Sequence, residues 1–246
     1  MLDFILTNKK KVAFIVVLLI ILIVLIIYLT RDSSHRRLYD SHQLFYDNKE
    51  VLVGFEKMPL SEENIKYTFS VFVRLNNLDG NTAWSQDQSL PKYIISNNGS
   101  PNIVYYRETG NVVIEIAYKD PEGANEIYEF KLPHFPMQRW TGIIIVVDGI
   151  YVSIYIDGQL FTAKKLFTIP WKSQGVLNIG KQKQNFNGYI GMVDYYNRAI
   201  SSEEVMSLYN KRIKSLPSEV LTYEQNEYKT KVKEESDKKL NTVKKV

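Results

Sequence analysis

Cysteines, histidines and paired carboxylates are the side chains that most often carry chemistry, and in this chain they are missing, scattered or badly spaced. The 246 residues contain no cysteine, which excludes disulfides, thiolate metal sites and cysteine nucleophiles together. The three histidines, His35, His42 and His134, have no partner carboxylates at metal-ligand spacing, so zinc hydrolase chemistry is unsupported. Among the acids the best pair is Glu115 and Asp120 in VVIEIAYKD. Their odd separation puts them on opposite faces of a regular strand, not on either side of a glycosidic bond. The expectation is no catalytic residue and no enzyme.

Binding chemistry has more candidates. Asp79 and Asn81 are hard oxygen ligands of the kind calcium needs, with Asp87, Asn97 and Asn98 nearby in sequence, but none follows a calcium-loop spacing. Their plainer role is turn formation, and calcium is the one cofactor worth weighing. Asn98-Gly99-Ser100 is the only Asn-x-Ser/Thr acceptor pattern and lies on a predicted turn, so Asn98 could carry a glycan if it faces a lumen or exterior. Aromatic rings are plentiful, with 17 tyrosines. Trp84 stands alone in a polar loop, while Tyr105, Tyr151 and Tyr155 fall on or beside predicted sheet surfaces. Each could stack on a sugar, anchor a protein contact, or simply pack across strands.

The elements that would position these residues are strands. Residues 140–161 read WTGIIIVVDGIYVSIYIDGQLF. Asp148-Gly149 and Asp157-Gly158 predict two tight reversals, because glycine supplies the positive φ of a primed turn. In the middle strand Ile150, Val152, Ile154 and Ile156 share a core face, and Tyr151, Ser153 and Tyr155 share the other. YTFSVFVRL at 67–75 alternates likewise and predicts a half-buried antiparallel strand. Short strands near 51–55, 93–96, 103–107, 112–118, 126–132, 159–165, 176–179 and 192–196 alternate with Gly, Asn and Pro-rich turns. Such spacing predicts an all-β antiparallel two-sheet sandwich. After it, Ser201 and Glu204 form a capping box that opens a short helix with Val205, Leu208 and Tyr209 toward the sheet, expected as a lid on a sandwich edge.

The chain ends are different in kind. From Val12 through Phe14, Ile20 and Leu25 to Leu29 run 18 uncharged residues. As a helix they would be roughly 27 Å long, close to a hydrocarbon core of about 30 Å. Lys9, Lys10 and Lys11 precede this run and Arg31 follows it. The expected organisation is a short basic N-terminus (1–11), a transmembrane helix (12–30), a polar stalk (31–50), the strand-rich domain (51–215) and a charged tail (216–246). The tighter lysine cluster favours a cytosolic N-terminus and a domain on the non-cytosolic side. A formal charge of +4, much of it beside the apolar run, suits lipid headgroups better than nucleic acid.

Taken together, FSVFVRL (69–75), YIIS (93–96), WTGIIIVVDGIYVSIYIDGQL (140–160), LNIG (177–180) and FNGYIGMVDYYNRAISSEEVMSLY (186–209) resemble the laminin G-like, concanavalin A-like jelly-roll superfamily. The resemblance covers about residues 50–210 and implies a jelly roll of 12 to 14 strands. Hydrolases of that superfamily carry alternating acids in one strand, E-x-D-x-x-E or a near variant, which this sequence lacks. The fold alone does not decide between adhesion, glycan binding and structural packing. The reading that follows is a membrane-anchored, non-catalytic adhesion or structural protein, contacting neighbours in a large assembly through its jelly-roll face and tail. In style it resembles minor capsid or inner-membrane-linked virion proteins of large DNA viruses. The competing expectation is a surface lectin-like module that binds glycans.

Overall fold

The computed structural model describes residues 15–22, 34–45, 50–58, 66–76, 91–98, 100–171, 175–180 and 186–217. The chain divides into two compact units, residues 1–35 and 36–246. In the first unit residues 15–22 are helical, and their large apolar side chains are about half exposed. No described helix is long and apolar enough to cross a membrane. Of the expected anchor, Ile20 lies in this helix; Val12, Phe14, Leu25, Leu29, Lys9, Lys10, Lys11 and Arg31 lie outside the described residues, as does the tail from 218 onward.

The second unit is all-β with one helix. Twelve strands are described: β1 (His35–Phe45), β2 (Val51–Val53), β3 (Lys66–Leu75), β4 (Lys92–Ser96), β5 (Asn102–Tyr106), β6 (Asn111–Lys119), β7 (Asn125–Leu132), β8 (Thr141–Asp148), β9 (Tyr151–Ile156), β10 (Gln159–Lys165), β11 (Leu177–Ile179) and β12 (Gly188–Tyr196), followed by helix α1 (Ser202–Ile213). They form two six-stranded sheets, ordered β1-β12-β3-β8-β9-β10 and β2-β11-β4-β5-β6-β7. Between the sheets lies the main core, with Phe69, Val71, Val73, Ile143, Ile145, Val152 and Ile154 from the first and Ile95, Ile103, Ile114, Ile116 and Phe130 from the second. In β3, β6, β8 and β9 every second residue contributes, as period 2 requires.

Both reversals of the meander exist, with a one-residue difference in the first. Asp148 pairs with Tyr151, so Gly149 and Ile150 are the loop residues. Gly149 has φ 62° and Ile150 is not in the left-handed region, which is the pattern of a turn with glycine leading. Ile150 therefore belongs to the turn and not to the middle strand. At the second reversal Asp157 (φ 52°) and Gly158 (φ 79°) are both left-handed, the form that selects Asp-Gly.

Three further expectations need correction. Residues 35–45, read as part of a stalk, form the edge strand β1 beside β12; scattered charges hid the strand because one of them is paired inside the fold. And α1 does not sit on an edge but lies across the outer face of the first sheet. Val205 and Leu208 pack with Ile144, Val146, Tyr196 and Ile200, while Tyr209 and Ile213 pack with Phe72, Trp140, Tyr189, Met192 and Leu216. For this reason β3 is buried on both faces and not half-buried. Gly142 makes room for the cover: a Cβ there would lie 2.9 Å from the Phe72 ring and 3.2 Å from Tyr209, whose rings stack at 6.1 Å.

The helix is held by directed bonds as well. Ser201 and Glu204 form the predicted capping box, and Arg198 adds two bonds of 2.9 and 2.6 Å to Glu204. Trp140 donates its indole N–H to the Pro217 carbonyl at 2.9 Å. Asp194 of β12, fully buried, accepts from Arg37 Nε of β1 at 2.8 Å and from Arg212 Nε of α1 at 3.0 Å. One carboxylate thus joins the edge strand, the sheet and the helix.

Asp194→Ala leaves two arginines facing a buried void, and the expected loss of unfolding free energy, read from urea titration, is about 3–5 kcal/mol. Alkaline pH gives a second check. Burial pushes the Tyr67 and Tyr195 hydroxyls, whose rings stack at 6.3 Å, well above the ordinary tyrosine range. Their contribution is complete below about pH 10, where unfolded tyrosines begin to ionise, and is lost as pH rises further toward the folded values. The expected urea midpoint is flat with respect to these groups up to that point and falls beyond it, with a shallower fall in Tyr67→Phe.

Candidate functional site

With one sheet capped by a helix, the outer face of the second sheet is the broad surface on which no described element packs. Strand parity decides what it presents. Ile103 and Tyr105 of β5, and Val112, Ile114 and Ile116 of β6, point into the main core; Asn102, Val104, Tyr106, Val113, Glu115 and Ala117 therefore point outward. Ladder register arranges these in rows. Asn102 pairs with Glu115, and Glu115 with Glu129 of β7. The next row holds Tyr93, Val104, Val113 and Lys131, and the row after that Tyr106 and Asn111.

Hydrogen bonds stiffen the centre of this face. Asn102 donates Nδ2–H to Glu115 Oε2 at 2.9 Å and accepts the Asn97 backbone N–H at 2.8 Å. Glu129 lies 3.3 Å from Lys131 in an exposed pair, which is worth little to stability. Burial first, then the Glu115 carboxylate, raise the Tyr93 hydroxyl above its usual range. Burial, Glu115 and Glu129 do the same for Tyr106. Both phenols thus stay protonated donors, beside carboxylate and amide acceptors, at any physiological pH. Val104 and Val113 are buried although they point outward, with Tyr93, Tyr106, Glu115 and Lys131 around them. Asn102 and Ala117 are buried as well, so what the face offers is the partly exposed Tyr93, Tyr106 and Glu115 beside the exposed Glu129 and Lys131, a small set of rings, acceptors and donors of the kind polyhydroxylated ligands use.

The structure redistributes the residues singled out in the sequence. Tyr105 is not a surface contact: it is 3% exposed and part of the main core, because its parity on β5 is inward, and its neighbour Tyr106 takes the outward place. Tyr155 is half-buried and packs in the cluster beneath α1, so it is spent on helix packing. Tyr151 is exposed, with the Lys165 ammonium 5.9 Å from its ring. Asp120 is a turn residue, accepting the backbone N–H groups of Glu122 and Ala124 at 2.9 and 2.7 Å, and does not meet Glu115. Asn98 is exposed on its turn with φ 49°. Trp84, Asp79 and Asn81 lie outside the described residues. No group of His, Asp and Glu able to hold a metal occurs among the described residues.

Sequence reasoning missed Tyr93, Asn102 and Glu129 as partners of Glu115. Glu129 is the second acid that hydrolysis would need near Glu115, and it sits directly across the β6–β7 ladder. It is one strand away, so only register reveals it. Both acids are already engaged, Glu115 by Asn102 and Glu129 by Lys131.

A family model described as the concanavalin A-like lectin/glucanases superfamily matches residues 54–206. No curated protein matches the sequence. Among solved structures, the botulinum neurotoxin serotype D binding domain is similar with a TM-score of 0.50 at 14% identity, over 72% of this chain and 46% of that one. The binding domain of Paraclostridial Mosquitocidal Protein 1 gives 0.49 at 19% identity, over 73% and 46%. The chain spans less than half the length of these binding domains, and at such identities the likeness is one of fold.

Proposed function

The chain belongs to the concanavalin A-like lectin/glucanases superfamily, and from that premise we propose that its jelly roll is a non-catalytic binding module that holds a glycan on the outer face of the second sheet. The observation that carries this reading is that Tyr93, Tyr106 and Glu115, each partly exposed, share one face that no described element covers. Sugar rings present apolar C–H faces and a rim of hydroxyls, so they take aromatic surfaces together with fixed acceptors and donors. Binding is assigned in place of hydrolysis because the alternating acids that hydrolases of the superfamily carry in one strand are lacking here.

In this reading the apolar segment 12–30 displays the module from a bilayer, and the tail contacts neighbouring proteins; both parts are proposals drawn from sequence. A second reading, protein adhesion in an assembly, is favoured by a separate feature. Phe167, Ile169 and Trp171 are exposed, Phe167 by 77%, and exposed apolar groups that cluster mark interaction surfaces.

Calorimetric titration with neutral oligosaccharides separates the two. The glycan reading expects saturable binding, weakened about tenfold by Tyr106→Ala, the worth of one aromatic contact. It also expects no release of new reducing ends. Absence of any saccharide binding, with Phe167→Ser abolishing association with a partner protein, would transfer the function to the adhesion reading.

A further inference from the structure

The last described residues of the chain run along the outer face of the first sheet toward one end of it. Helix α1 begins beside Thr68, whose Oγ1 accepts the Ile200 N–H at 3.1 Å, and finishes where Tyr209 and Ile213 pack with Phe72 and Trp140. Leu216 continues in that direction. A Cβ on Gly191 would collide with a Leu216 methyl and lie 3.2 Å from the Trp140 ring. Leu216 therefore sits between the β12 and β8 lanes, above β3. Pro217 follows, its carbonyl accepting the Trp140 indole N–H at 2.9 Å.

Two residues beyond Phe72, on the same face of β3, stands Arg74. It pairs with Tyr189 of β12, and since Val73 pairs with Thr141, the β8 side of its row belongs to Trp140. The rings of Tyr189 and Trp140 meet edge to face, centroids 6.5 Å apart, and shelter the arginine stem between them. Arg74 is partly exposed, but its Nε is buried and meets no acceptor among the described residues. Other arginines are matched: Arg37 and Arg212 share Asp194, Arg139 has Asp157 and Arg198 has Glu204. A buried guanidinium donor costs free energy until an acceptor meets it, and a carboxylate is the acceptor that fits best.

We propose that the chain beyond Pro217 docks on this row through an ion pair between Arg74 and Glu219. Glu219 is the first acid after Pro217. Two residues of extended backbone reach about 7 Å, and neighbouring lanes of a sheet are about 4.8 Å apart. From a carbonyl already held by Trp140, the Glu219 carboxylate thus comes within range of the arginine in the next lane. Where the tail departs is fixed by this pair. It leaves from the Trp140 end of β8, whereas Phe167 lies at the other end, next to Leu166, which donates its N–H to the Ile150 carbonyl at 2.8 Å. A partner that reads the lysine-rich tail and a partner that reads Phe167 approach opposite ends of the sandwich.

Chymotrypsin cleavage after Leu221 and Tyr223 reads the docking, since both bonds follow Glu219 closely and cleavage tracks the population of the undocked form. It is followed by mass spectrometry on the full-length protein in detergent micelles. Arg74→Gln and Glu219→Gln are each expected to speed cleavage about fivefold, the effect of a partly exposed ion pair, and the double variant no more than either alone. Exchanging the charges, Arg74→Glu with Glu219→Arg, should bring the rate back toward that of the natural pair. Glu219→Gln leaves the sheet untouched, so it keeps the test open if Arg74→Gln lowers the melting temperature. Additive effects of the two single variants, or no effect of Glu219→Gln, overturn the pair. So does Asp79→Asn matching Arg74→Gln where Glu219→Gln does not. Protection that disappears on dilution assigns Arg74 to the tail of a second copy and overturns it as well.

Discussion

Asp194 is the group on which the arrangement of the molecule turns. A carboxylate buried completely in β12 requires compensation, and the two arginines that supply it come from opposite ends of the domain, Arg37 in the first strand and Arg212 in the last turn of the helix. Such a triad adds little net stability compared with an apolar replacement of the same shape. Its contribution is geometric: α1 can be satisfied in one place only, across the outer face of the first sheet. Once there it buries Val205 and Leu208 against Ile144 and Val146 and covers the centre of the first sheet's outer face. The second sheet carries the face to which recognition is assigned in the proposed function.

That division of labour explains why tyrosines so alike in the sequence have unlike fates. Tyr155 faces outward from the first sheet and is consumed under α1. Tyr106 faces outward from the second sheet and meets solvent, Glu115 and Tyr93. Tyr105, one residue earlier, is core. The phenols of Tyr93 and Tyr106 are kept neutral by burial and by the acids near them, so the face keeps its hydroxyl donors across the ordinary pH range.

Local signals in the chain were legible. Two Asp-Gly reversals, alternation in 67–75 and 150–156, and the Ser201–Glu204 capping box each predict their own conformation from short-range sterics and hydrogen bonding, and they led to the all-β two-sheet class. Less was legible wherever the answer depends on a second strand. Whether Tyr105 or Tyr106 points outward follows from parity against a core that the sequence alone does not orient; that Glu129 stands opposite Glu115 follows from ladder register. β1 was hidden because Arg37 reads as a solvent group until Asp194 is placed beside it. Trp171 was hidden because residues 166–171 have no strand pattern of their own and gain their place from bonds to Ile150, Lys119 and Ala117.

The central claim is that ligand meets the outer face of β4–β6 and not the helix side. Methyl NMR during titration with a neutral oligosaccharide addresses it directly. The account predicts saturable shifts of the Val104, Val113 and Ala117 methyls, with Ile144, Val205 and Leu208 unmoved. Shifts confined to the methyls beneath α1, or a saccharide that binds while Val104, Val113 and Ala117 stay still, would contradict it.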